Sequence, residues 1–186
     1  MPEENKQPIR CFIALDLPRE AINEIKRIQD LIKKKNLFTG KFTEPENLHL
    51  TLKFLGEISE EQVENIKKKL SKIKLESFYA NLGEVGVFSK SFIKIIWIKL
   101  NGKAIWELQK KIDEALSDIF QPEERFMGHI TIARVKYVSD KKELLEYLKN
   151  LKIKNIKFFV DKFFLKKSLL LPEGPIYSVV SEYSLK

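Results

Sequence analysis

The chain has 186 residues, 44% of them hydrophobic, which is enough for one sizeable core and too few for two ordinary independent domains. Its 34 Lys and Arg outnumber 26 Asp and Glu, and the resulting charge of +8 suits a polyanionic partner such as RNA. A single cysteine excludes an internal disulfide, and no apolar run is long enough for a membrane span or has the flanks of a signal-peptide core, so a cytoplasmic protein without membrane association is expected, with a monomer as the default.

After the polar opening "MPEENKQPIR", the run "CFIALDL" (11–17) reads as an apolar strand in which Cys11 is a small buried hydrophobe. Pro18 marks the first turn of a helix with Ala21, Ile22, Ile25, Ile28, Leu31 and Ile32 on its apolar face. A loop containing "TEPEN" leads to the strand "LHLTLKFLG". Ser59 and Gln62 form a capping-box pattern opening a second helix that carries Val63, Ile66, Leu70 and Ile73. The stretch "SFYANLGEVGVF" is extended.

The pattern then begins again. "FIKIIWIKL" (92–100) is a strand, Asn101-Gly102 a turn, and Ala104, Ile105, Leu108, Ile112, Leu116 and Ile119 mark a third helix. "HITIARV", a fourth helix around "DKKELLEYLKNL", and strands through "IKFFVDKFF", "SLLL" and "YSVVSEYSL" follow. Each half thus runs strand, helix, His-x-Thr strand, helix, strand, and we read an internal duplication with approximate halves 10–90 and 91–186 inside one domain spanning 1–186. The expected fold is α+β and bilobal, with a pseudo-two-fold axis, a mainly antiparallel sheet and two outer helices per lobe, and a cleft between the lobes. The final strand can return to either lobe.

The two histidines and four threonines are distributed unevenly. Each histidine stands two residues before a threonine, in "HLT" (49–51) and "HIT" (129–131), a coincidence expected by chance about five times in ten thousand. Alternation along a strand puts His49, Thr51 and Lys53 on one face and Leu48, Leu50 and Leu52 on the other; His129 and Thr131 likewise oppose Ile130 and Ile132. Related by a two-fold, the pairs would converge on one small volume. Two opposed imidazoles can act as general base and general acid in one turnover, and two hydroxyls can hold the oxygens of an anion, which fits displacement at a phosphodiester. No metal or other cofactor is expected, because two histidines and one cysteine in an apolar strand do not supply a closed zinc site. There is also no nucleophile-elbow or glycine-rich nucleotide motif.

These residues resemble the 2H phosphoesterases, and among them the RNA 2′,3′-cyclic phosphodiesterases formerly described as 2′-5′ RNA ligases. The likeness rests on "RCFIALDLP", "ENLHLTLKFLGE", "IIWIKL" and "HITIARVK", in that order. It implies hydrolysis of a terminal 2′,3′-cyclic phosphate of RNA, transfer-RNA fragments being one source, to a 2′-phosphate. His49 would be the proton donor to the departing 3′ oxygen, His129 the acceptor that activates water, and Thr51 and Thr131 the phosphoryl ligands. The residues themselves leave acid and base exchangeable. They also leave open 2′-5′ ligation at the same site, or nucleotide binding without turnover.

Arg134 matches an arginine that often follows the second motif and could bind the phosphate. Strand parity places it with Ile130 and Ile132, so it reaches the cleft only if the strand ends or bulges after Ala133. Lys53, which has cleft parity, is a second candidate substrate ligand. Phe88 and Phe126 could stack on a base.

Overall fold

The computed structural model describes residues 7–186; the polar residues 1–6 of the opening lie outside the described residues. Among the described residues nine strands form one antiparallel sheet curled around the cleft, with four α-helices packed against it. In chain order these are β1 (Ile9–Asp16), α1 (Arg19–Lys35), β2 (Phe38–Phe42), β3 (His49–Ile58), α2 (Glu60–Leu70), β4 (Phe78–Val87), β5 (Ile95–Asn101), α3 (Lys103–Ala115), β6 (His129–Val138), α4 (Lys141–Asn150), β7 (Lys157–Val160), β8 (Lys162–Leu171) and β9 (Gly174–Ser184). No helix among the described residues is long and apolar enough to cross a membrane.

The helices begin and bury where their sequences direct. At α2, Ser59 Oγ accepts from Gln62 N while Gln62 Oε1 accepts from Ser59 N, completing the capping box. Ala21, Ile25, Ile28 and Ile32 of α1 and Ile105, Leu108 and Ile112 of α3 are essentially buried at the spacing of a helix face. They join Leu50, Leu52, Ile130 and Ile132 in one apolar core on the side of the sheet away from the cleft. Cys11 is buried and free, as expected.

The strand order β7-β4-β5-β6-β3-β1-β8-β9 contains two lobes that meet where β3 pairs with β6, at Leu50 and Ile130. These are the residues directly after the two histidines. The lobes do not follow the halves of the chain. β4, which ends the first half, pairs with β5 and β7 in the second lobe, whereas β8 and β9, from the chain's end, extend the first lobe through β1. The halves therefore exchange strands, and this settles the lobe of the final strand. β2, in a stretch expected to be a loop, adds to the second lobe by pairing with β6. Its five residues, "FTGKF", carry too little alternation to announce a strand.

The two His-x-Thr strands share an irregularity. In the β1–β3 ladder Ile13 pairs with Lys53 and Ala14 with Thr51, leaving Leu52 as an extra residue; in the β5–β6 ladder Ile96 pairs with Ala133 and Trp97 with Thr131, leaving Ile132 extra. Each strand thus bulges directly after its threonine. Two successive residues, Leu52-Lys53 and Ile132-Ala133, turn to the core, and alternation resumes with opposite phase.

Buried polar groups of the opposite helices hold these bulges. Gln29 of α1 donates to Ile132 O at 2.9 Å and to Thr43 O at 2.8 Å. Lys53 donates to Asp113 Oδ1 of α3 at 2.5 Å and to Gln121 O at 2.8 Å, and Asp113 Oδ2 accepts from Gln109 Nε2 and Glu123 N. This accounts for four of the buried polar residues in an otherwise apolar core, Gln29, Lys53, Gln109 and Asp113.

Candidate active site

The bulges decide what reaches the cleft. His49, Thr51, His129, Thr131 and Arg134 all line a cavity of about 920 Å³ between the lobes. Arg134 gets there because the strand bulges, at Ile132 rather than after Ala133 as strand parity suggests, and this reverses its parity. The same reversal removes Lys53. It is 5% exposed, on the core side, and ion-paired with Asp113, so the expectation that it binds substrate from the cleft is corrected. Its place on the cleft side is taken by Phe54, which occupies the position after His49 that Arg134 occupies after His129.

Each histidine is oriented in the same way. His49 Nδ1 donates to Asn47 O at 2.7 Å and His129 Nδ1 to Met127 O at 2.8 Å, in both cases the carbonyl two residues earlier. A carbonyl only accepts, so Nδ1 carries the hydrogen and the neutral ring presents the lone pair of Nε2. His49 Nε2 accepts from Thr51 Oγ1 at 3.0 Å. Gly128 fixes the approach to His129: a Cβ there would lie 2.8 Å from Leu100 O, and Leu100 N donates to Gly128 O at 2.9 Å.

Aromatic rings pack against both imidazoles. Tyr177 of β9 meets His49 edge-on at 5.1 Å, with Phe12 5.0 Å away on a tilted contact, and Phe88 meets His129 edge-on at 4.8 Å. Phe88 therefore braces the catalytic candidate, and Phe126 packs against Trp106 at 5.1 Å. Tyr177 escaped sequence reading because its strand reaches the cleft only through the exchange of β8 and β9 into the first lobe.

Burial dominates the electrostatics. It pulls the His49 pKa down to about 4, against the opposing hydrogen bond to Asn47 O; Lys166 lowers it further and Asp16 raises it. His129 is also lowered by burial, opposed by its bond to Met127 O. The pairing registers surround the rings differently: Asp16 stands opposite His49 and Lys99 opposite His129. Asp16 is held by Lys166 and Lys99 by Glu84 at 3.4 Å. Among the described residues no three His, Cys, Asp or Glu side chains gather as a candidate metal site.

A curled antiparallel sheet with two His-x-Thr strands meeting at its seam defines a class of protein whose site is built twice from one plan. The chain belongs to the LigT-like phosphoesterase family, whose family model matches residues 15–97 and again 99–177. It is 37% identical over 181 residues to the RNA 2′,3′-cyclic phosphodiesterase of Methanocaldococcus jannaschii, covering 94% of this chain and 100% of that one. It is 33% identical over 186 residues to the protein of the same name from Methanothermobacter thermautotrophicus, covering 95% and 99%. The crystal structure of TT0787 of Thermus thermophilus superimposes with a TM-score of 0.79 at 25% identity, over 95% of this chain and 97% of that one.

Proposed function

We propose that the protein hydrolyses the 2′,3′-cyclic phosphate at the end of an RNA strand to a 2′-phosphate, by paired acid–base catalysis without a metal ion. The observation that carries this reading is the doubled geometry: two imidazoles, each tethered through Nδ1, turn Nε2 toward one cavity beside two threonine hydroxyls. The relatives' shared name supplies the substrate class.

The cyclic phosphate sits with its non-bridging oxygens on Thr51 and Thr131 Oγ1 and against the Arg134 guanidinium. His129 Nε2 takes a proton from water as the water oxygen bonds to phosphorus, and the P–O3′ bond breaks in line with that attack. His49 Nε2 delivers a proton to O3′, leaving a 3′ hydroxyl and a 2′-phosphate. The division of roles rests on the family resemblance; Asp16, opposite His49, favours an imidazolium there, against the larger opposing effect of Lys166. With a pKa pulled down by burial, His49 is neutral in the empty site and gains its proton when the phosphate anion arrives. Once protonated it is a strong donor.

Ligation through a 2′-5′ linkage would use the same groups in reverse and needs a second RNA end held in line; binding without turnover would need no matched acid and base. Replacing His129 by Ala tests the reading. Hydrolysis should fall by at least about a hundredfold, the usual contribution of a positioned acid or base, while RNA affinity stays close to wild type. A variant that retains full activity would sink the acid–base assignment.

A further inference from the structure

We propose that Lys41 is a second phosphate subsite, taking the phosphodiester on the 5′ side of the terminal nucleotide, so that the protein acts on RNA strands in preference to free cyclic mononucleotides. This rests on the cyclic phosphodiesterase reading. In the β2–β6 ladder Lys41 stands directly opposite Arg134, and both line the cleft. Like charges placed opposite one another oppose folding unless an anion sits between or beside them. Among the described residues neither cation makes an ion pair, although Glu44, Glu46 and Glu173 line the same cavity.

Lys41 Nζ is already aimed. It donates to Glu173 O at the tip of the β8–β9 hairpin and lies so close to Gly174 that a Cβ there would be 2.9 Å from Nζ. An ammonium has three donors, so two remain for an anion. Arg134 lines the same cavity as the threonines, so if it serves the cyclic phosphate its cross-strand neighbour is one step further along the same strand of nucleic acid.

The surface continues in that direction. Lys41, Phe42 and Glu44 are shared with an adjoining groove of about 480 Å³ whose far side carries Lys33 and Asn36, at the C-terminal end of α1. Among the described residues β2 pairs only with β6, so its outer edge presents backbone donors along this path. A single strand leaving the catalytic end past Lys41 therefore crosses β2 toward the lysines of α1.

The experiment measures kcat/KM for a nucleoside 2′,3′-cyclic phosphate and for a trinucleotide ending in one, across a salt series, with wild type, Lys41→Ala and Lys41→Arg. Reading the ratio of the two substrates within each preparation removes any difference in folded fraction. The trinucleotide-to-mononucleotide ratio should fall about tenfold in Lys41→Ala and recover largely in Lys41→Arg. The logarithmic salt slope for the trinucleotide should become shallower by about 0.7, the loss of one contact to a single strand. An unchanged ratio in Lys41→Ala, or equal losses on both substrates, overturns the subsite. If wild type hydrolyses neither substrate, the functional reading fails separately, and affinity for a trinucleotide bearing a terminal 2′-phosphate decides the subsite. Weaker binding by Lys41→Ala supports it, and equal binding overturns it.

Discussion

Protonating His49 should destabilise the empty protein, and the size of the effect follows from its burial. The folded pKa of about 4 lies below the ordinary value of 6.5, so between those limits the unfolded chain binds more protons and stability falls as the pH falls. At about pH 4.5 nearly all of the unfolded imidazole is protonated but only about a quarter of the folded one, a difference worth about 2.5 kcal/mol relative to neutral pH. His49→Asn keeps a side-chain donor for Asn47 O and cannot titrate. Urea denaturation of wild type and His49→Asn at pH 7 and 4.5 isolates the term, because carboxylates and His129 contribute to both proteins. Wild type should lose about 2.5 kcal/mol more than the variant on acidification. Equal losses would refute the argument that burial, rather than solvent, sets the charge of this ring.

Two further perturbations test the bulges. Lys53→Met strands Asp113 in the core, where the ion-paired side chains are 4% and 9% exposed, and should cost about 3–5 kcal/mol in urea denaturation, with part of that recovered by adding Asp113→Asn, which removes the charge and keeps an acceptor for Gln109 and Glu123 N. A single-variant cost no larger than that of a surface substitution would mean that the pair does not hold the strand. Gly40→Ala puts a Cβ 2.1 Å from Arg134 O, so β2 or the β6 backbone must move. It should cost about 1–3 kcal/mol and raise KM by displacing Arg134, and wild-type stability with wild-type KM would contradict the close approach.

How far the sequence could be read depended on whether neighbours along the chain were neighbours in the sheet. Helix faces and the capping box are local, and they were legible from Ala21, Ile25, Ile28, Ser59 and Gln62. The pairing of His49-Thr51 with His129-Thr131 was legible because the motif is written twice. Lys53 was misplaced for a physical reason: strand parity holds only while the ladder is regular, and the extra residue Leu52 sends Lys53 to Asp113 and Phe54 to the cleft. Repetition still held a clue, since the doubt about Arg134's parity applied equally, five residues after the other histidine, to Phe54. Tyr177 and Lys41 were hidden by long-range pairing, of β9 through β8 into the first lobe and of β2 with β6. Nothing near them in the chain announces either.

The central claim is metal-free hydrolysis with the 3′ oxygen as leaving group. It is tested most directly by phosphorus NMR of a short RNA ending in a 2′,3′-cyclic phosphate, incubated with the protein in excess EDTA. The paired imidazoles predict loss of the cyclic signal with matching growth of a 2′-monoester, absent in His49→Ala and His129→Ala. A cyclic phosphate that persists, a 3′-monoester, or turnover that appears only when a divalent ion is added back would contradict it.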